Sequence, residues 1–228
     1  MLCLIQARMS SKRLPGKSLL YLNKKKLLSH VIENVKKSKD IKKIIVVCSS
    51  SKSDDKLSNF CKNKSVSVFR GDQNNVASRF FYVLKNTKFK SFVRINGDSP
   101  IIDYKLINII TKKFNSKKHD ICTNVLKRTF PKGQSVEVIS KNFYIKNFNK
   151  IKSKSDLEHV TAYFYKNKKK FKIFNINSKK NFSNINLSVD TLQDFERISK
   201  LMKKNKTKHC SWITYCLEYI KYFHNEKN

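Results

Sequence analysis

Residues 2–17 read LCLIQARMSSKRLPGK, and the choice of fold turns on them. Leu2–Gln6 is an apolar run too short for a helix and reads as a buried β-strand. The chain then changes character at once. Gln6–Lys17 carries Arg8, Lys12, Arg13 and Lys17, two Ser, and the first Gly of a chain that has only four. A strand delivering such a loop places it at the carboxyl edge of a parallel sheet, where α/β proteins bind ligands. Backbone amides, hydroxyls and four cations suit a polyphosphate. The spacing matches neither a Walker A loop nor GxGxxG, so those two sites are excluded.

Outward from this stretch, strand and helix patterns alternate. Strands are expected at Ile41–Cys48, Val66–Phe69 and Phe92–Ile95, and amphipathic helices at Leu27–Lys37, Asp54–Lys62, Val76–Leu84 and Leu106–Phe114. Such alternation argues βαβ units and a mainly parallel sheet. The second half is less regular. Strands are expected at Ile121–Val125, Ser135–Ile139, Phe171–Ile176 and Ile185–Val189, a helix starting at Thr191, and an aromatic helix at Trp212–Phe223 whose stripe reads as core packing or a homodimer contact.

The 228 residues carry a formal charge of +34, from seven Arg and 43 Lys against 16 acidic residues. The Lys are spread evenly, 25 basic residues falling in each half of the chain. A nucleic-acid surface is more clustered and richer in Arg, so the excess reads as a Lys-biased solvent face with no nucleic-acid partner. Aromatic content of 11% and 39% hydrophobic residues exclude a disordered basic tail. No apolar run is long enough to insert in a membrane. The six Cys lack a CxxC pair and three lie in strand-like runs, so reduced thiols and a cytoplasmic setting are expected. A zinc site from His209, Cys210 and Cys216 lacks a second ligand pair.

Two acidic residues stand out. Asp98 follows the strand FVRI in a tight Asn-Gly-Asp-Ser-Pro turn, and Asp190 ends NLSV just before a helix. Both are strand-terminal, the placement expected at the carboxyl edge of a parallel sheet. Asp98 also suits shaping of its turn, and Asp190 an N-cap.

Six segments occur in order: QARMSSKRLPGK (6–17), VFRGDQNNVASRF (68–80), VRINGDSPIID (93–103), RTFPKGQSVEV (128–138), LEHVTAYFY (157–165) and VDTLQDFE (189–196). Together they resemble the sugar cytidylyltransferases, the group of the CMP-acylneuraminate and CMP-3-deoxy-manno-octulosonate synthetases, nearest the spore-coat polysaccharide F-type branch. The resemblance spans nearly everything but the C-terminal helix. It implies a Rossmann-like nucleotidyltransferase fold of the nucleotide-diphospho-sugar transferase type, a mainly parallel sheet flanked by helices. One domain over 1–228 is expected, with a nucleotide-binding half (1–115), a sugar and metal half (116–205) and the aromatic helix (206–228). The implied reaction moves CMP from CTP to a sugar hydroxyl and releases pyrophosphate, for surface polysaccharide.

By that resemblance Lys17, Arg8 and Asp98 are catalytic. Ala7, Arg8, Ser11, Arg13, Lys17, Arg70, Gly71, Arg79, Asn96 and Gly97 line the nucleotide. Asp98 and Asp190 bind Mg²⁺, and Glu137, Glu158 and His159 meet the sugar. For Arg70 and Arg79 a salt-bridged helix start is the competing reading, and for His159 a packing or capping role. The chain departs from the branch at Ser135, Leu157 and Ala162, where Asp, Arg and Pro are usual, which leaves the acceptor open. A glycosyltransferase of the related fold competes as a whole, but such enzymes usually carry DxD and this chain has none.

Overall fold

The computed structural model describes residues 1–116, 118–205 and 210–223. Alternation of side chains decides how the sheet is clothed. In β1 (Leu2–Gln6), Leu2 and Leu4 face one side while Cys3 and Ile5 face the other, and all four are fully buried. A strand apolar on both faces must lie between two helical layers. It pairs in parallel with β4 (Lys43–Ser49) on one side and β6 (Ser91–Asn96) on the other.

The remaining strands are the hairpin β2 (Tyr21–Leu22) and β3 (Lys25–Lys26), then β5 (Ser67–Gly71), β7 (Ile121–Thr123), β8 (Glu137–Ser140) and β9 (Ile173–Asn175). The main sheet has seven strands in the order β5-β4-β1-β6-β8-β7-β9. Only β8 runs against its neighbours β6 and β7, while β9 pairs with β7 in parallel. The chain crosses from β1 outward to β4 and β5, then returns to β6 on the other side of β1. That reversal puts a switch point at the carboxyl ends of β1 and β6, where a crevice forms.

One face is covered by α1 (Leu27–Lys36), α4 (Tyr104–Ser116) and α8 (Leu192–Lys204), packing Val31, Ile107 and Ile198 onto Cys3, Val93 and Cys122. The other is covered by α3 (Val76–Lys85), α5 (Lys141–Asn147) and α7 (Ala162–Lys166), packing Phe80, Tyr144 and Phe164 onto Leu4, Phe92 and Ile139. Two more helices add to these faces: α2 (Asp55–Asn63) places Leu57 and Cys61 in the first cluster, and α6 (Lys154–Glu158) packs Leu157 against the second. The C-terminal α9 (Trp212–Phe223) seats Trp212 against Phe130 and Phe182, at ring distances of 5.0 and 5.6 Å, and leaves Ile213 and Leu217 exposed.

Thr191 starts α8 as its N-cap, in a capping box with Asp194, so Asp190 is left outside the helix. The expected strand at Ile185–Val189 does not form. Its apolar alternation is real, but the backbone crosses the strand ends and bonds to loops. Lys132 donates to the Ile185 carbonyl, Leu187 donates to the Lys132 carbonyl, and Val189 donates to the Asp98 carbonyl. One isolated bridge, between Lys132 and Asn186, is all the ladder present. The expectation also omitted the β2–β3 hairpin, and the less regular helices it placed between the second-half strands, without bounds, are the short α5 to α7.

Gly133 permits this crossing. Its φ is +87°, and a Cβ there would lie 2.5 Å from the Leu187 carbonyl carbon and oxygen. Gly133→Ala should therefore cost about 1–3 kcal/mol or more. Urea unfolding of the two proteins measures it, with the midpoint falling and the slope unchanged.

Candidate active site

The crevice at the switch point is floored by a close approach of β1 and β6. Gly97 donates its N–H to the Gln6 carbonyl at 2.8 Å, and any Cβ on Gly97 would come within 2.8 Å of the Ala7 Cβ. Glycine is required there because the two strand ends touch. Ala7 and Gly97 are thus buried in the floor, and Asn96 is partly covered beside them.

From this floor rises the loop 7–17. Its middle is fixed at Met9, whose carbonyl accepts from Gly16 at 2.9 Å and whose N–H donates to Asp54 Oδ1 at 2.7 Å. Gly16 turns the chain with φ +72°, and a 3₁₀ turn at Lys17–Leu19 follows. Asp54 is fully buried, and its Oδ2 accepts from the N–H and hydroxyl of Ser49, at 2.7 and 2.5 Å, at the end of β4. Sequence reading missed Asp54, treating it as the first residue of a helix. Its run of Ser and charged residues gives no periodic signal that one carboxylate turns inward.

The turn after Gly16 carries Lys17 into the crevice, where it is 8% exposed. Its ammonium donates to Asp98 Oδ2 at 3.1 Å, Asp190 Oδ1 at 2.8 Å and the Val189 carbonyl at 2.7 Å. The two Asp singled out in the sequence therefore converge on one cation, though 92 positions separate them. Arg13 reaches the other oxygen of Asp190 at 3.2 Å, and Arg8 pairs with Glu158 at 2.9 Å. Each of these three loop cations is thus held by a carboxylate of the crevice. Ser11 and Lys12 complete the loop, Ser11 half-buried and Lys12 exposed.

Burial pushes the Asp190 carboxyl up, but the Lys17 hydrogen bond and charge, with Arg13 and Lys132, outweigh it and leave its pKa below the ordinary value. The Arg8 hydrogen bond likewise holds the Glu158 carboxyl low against its partial burial. Removing one partner from such a cluster leaves uncompensated charge.

Other expected site residues fall around the rim. Arg70, at the end of β5, donates to the carbonyls of Ser49 and Ser51 and pairs with Asp55 at 2.7 Å. Gly71 is overlain by Arg79, whose Cγ a Cβ would meet at 3.1 Å. Arg79 is 1% exposed and gives its guanidinium to the carbonyls of Asp72 and Gln73, at 2.6 and 2.7 Å. It braces the 71–73 turn from beneath, with no exposed face to offer. Asp72 closes that turn by accepting from Asn74 and Asn75, and Asn75 caps α3. His159 is exposed at the end of α6, next to Glu158. Glu137 is 1% exposed, with its oxygens taken by Arg94, Thr161 and Tyr165, so it does not stand free in the crevice as the sequence suggested. Among the described residues no group of three or more His, Cys, Asp or Glu could hold a metal, and His209 of the zinc set already set aside lies outside those residues. No described helix is long and apolar enough to cross a membrane.

Because the folded Asp190 pKa is lowered, its contribution to stability is complete above the unfolded carboxylate value of about 3.9 and is lost as pH falls through the lower folded value. Asp190→Asn should flatten the acid limb of the stability curve, measured by denaturation between about pH 5 and pH 2. An unchanged acid limb would contradict the ion pairing.

The chain as a whole has counterparts among known proteins. The chain is 34% identical over 202 residues to the uncharacterised protein MJ1063 of Methanocaldococcus jannaschii, covering 88% of this chain and 82% of that one. It is 31% identical over 211 residues to the spore coat polysaccharide biosynthesis protein SpsF of Bacillus subtilis, covering 89% and 86%. A solved cytidylyltransferase from Leptospira borgpetersenii superposes with a TM-score of 0.90 at 31% identity, over 96% of this chain and 92% of that one. The family model for cytidylyltransferases matches residues 2–227. With a crevice of paired cations and carboxylates at the switch point of such a sheet, the chain belongs to the cytidylyltransferase family.

Proposed function

We propose that the protein transfers CMP from CTP to the hydroxyl of a sugar, releasing pyrophosphate, in a Mg²⁺-dependent reaction serving surface polysaccharide synthesis. The observation that carries this is the Lys17 ammonium shared by Asp98 and Asp190 beneath a loop of further cations. A crevice that already gathers both signs of charge on one point suits a ligand bringing both, a triphosphate with its counter-ion. Membership of the family and the likeness to SpsF support the donor and the polysaccharide setting.

On this reading Arg8, Arg13 and Lys17 leave their carboxylates for the triphosphate and stabilise the departing pyrophosphate. Ser11, Ala7 and the Asn96–Gly97 floor receive the ribose and base beside Arg70 and the 71–73 turn that Arg79 braces from beneath. The acceptor hydroxyl attacks the α-phosphorus in line. Its oxygen forms the new P–O bond as the bond to the β-phosphate oxygen breaks, and its proton passes to His159. Glu158, freed from Arg8, lies on the acceptor side.

Asp98 and Asp190 are hard oxygen donors drawn to a shared cation, a donor set that fits Mg²⁺. When bound, Mg²⁺ supplies neutralisation of the charge on the phosphate oxygens. A cytoplasmic setting agrees with Cys3, Cys48, Cys61, Cys122 and Cys216, all buried in the core as thiols.

Pyrophosphate release from CTP, assayed with a panel of free sugars including 3-deoxy-manno-octulosonate, tests the proposal. Wild type should turn over with Mg²⁺ and stop when the ion is chelated. Asp98→Ala should lose about 10²- to 10³-fold in rate. Robust turnover by Asp98→Ala would remove Asp98 from the metal site.

A further inference from the structure

A belt of polar side chains crosses three strands on the α3/α5/α7 face of the sheet, above its apolar packing. Glu137 in β8 is in register with Arg94 in β6 and Thr123 in β7. One carboxylate oxygen accepts from Arg94. The other accepts from the Thr161 hydroxyl at 2.8 Å and from the Tyr165 hydroxyl, which is itself 3.2 Å from Thr123 Oγ1. Arg94 also donates to Gln6 Oε1 at 3.0 Å, at the last residue of β1 before the nucleotide loop. A carboxylate with both oxygens engaged and 1% exposure has nothing left for an acceptor sugar. What it does hold is the α6–α7 turn.

That turn is unusual. Val160 has φ +34° and is fully buried. A β-branched residue in that region is strained and persists only where its surroundings over-determine it. Here they do. The N–H groups of Thr161 and Ala162 both donate to the His159 carbonyl, and the Thr161 side chain is tied to Glu137. Immediately before Val160 come Glu158, on Arg8, and the exposed His159.

We propose that Glu137 is a positioning residue: anchored by Arg94, it grips Thr161 and Tyr165 and so holds the strained 159–161 turn that sets Glu158 and His159 at the acceptor side of the crevice. This rests on the acceptor role proposed above for His159. It separates two halves of the site. The nucleotide loop has its own brace in Asp54, and although Arg8–Glu158 and Arg94–Gln6 join it to the acceptor turn, a lesion in that turn should weaken acceptor binding far more than CTP binding.

The protein is tested as wild type, Thr161→Val, Thr161→Ser and Glu137→Gln. Thr161→Val removes one hydroxyl at nearly constant volume, and Thr161→Ser restores it. CTP affinity is read by calorimetry with Mg²⁺, and acceptor KM by pyrophosphate release with 3-deoxy-manno-octulosonate as probe. The His159 ring is read by its ¹H–¹³C NMR signal, assigned with His159→Gln. Thr161→Val and Glu137→Gln should keep CTP affinity within about twofold, raise acceptor KM about tenfold or more, and shift or broaden the His159 signal. Thr161→Ser should restore wild-type values. A lowered melting temperature with acceptor KM and the His159 signal unchanged would reduce Glu137 to a merely structural residue and overturn the proposal, as would an equal loss of CTP affinity. Absence of turnover in wild type counts against the proposed reaction alone. The His159 signal in Thr161→Val then decides the positioning claim, a shift supporting it and an unchanged signal refuting it.

Discussion

The Lys17 ammonium, enclosed by Asp98, Asp190 and the Val189 carbonyl, is the contact on which the crevice depends. It joins three segments far apart in sequence: the loop after β1, the turn after β6 and the crossing segment before α8. A nearly buried cation is tolerable only when paired and hydrogen-bonded. Each segment is accordingly built to deliver its partner. Gly16 turns the chain at φ +72° to aim Lys17 inward, and Gly97 lets the strand ends touch so that Asp98 emerges beside Ala7. The capping box of Thr191 and Asp194 frees Asp190 from the helix and points it at the crevice.

The other loop cations repeat the pattern, Arg13 on Asp190 and Arg8 on Glu158. These two pairs are more exposed and contribute little to stability by themselves. Their value is electrostatic. Cations stored against carboxylates stay oriented until a polyanion competes for them, and the carboxylates so released can take its counter-ion. On the proposed reading, donor and metal would be coupled, since whichever enters first removes a partner that opposed the other.

Much of the architecture was legible because both faces of the sheet are apolar. Runs such as Leu2–Ile5 and Val46–Cys48 announce strands buried on both sides, and the stripe Leu28, Val31, Val35 announces a covering helix. The crevice was legible too, because cations are grouped after β1 and the two Asp end apolar runs. What failed depends on partners that the sequence does not display. Ile185–Val189 has a strand's alternation, yet its hydrogen bonds go to Lys132 and Asp98 and not to a ladder. Asp54 reads as a helix start and Arg79 as a nucleotide ligand until the fold closes over them. Glu137 looked like a ligand residue because nothing local reveals that Arg94 lies opposite it in register. The positive φ of Val160 opposes the local preference of a β-branched residue, and the Thr161–Glu137 contact that helps hold it is invisible in the sequence.

The +34 charge was the most conspicuous feature and the least informative, since a handful of cations placed at strand ends accounts for the site. A thermal-shift titration tests that directly, using CTP, ATP, GTP and UTP with Mg²⁺ on wild type and Lys17→Met. Binding to the native state at about 100 times Kd adds about 2.7 kcal/mol, or about 5–10 °C for a chain of this size. The account predicts that shift for wild type with CTP and little or none for Lys17→Met. Equal stabilisation of wild type by all four nucleotides, or of both proteins by CTP, would contradict it.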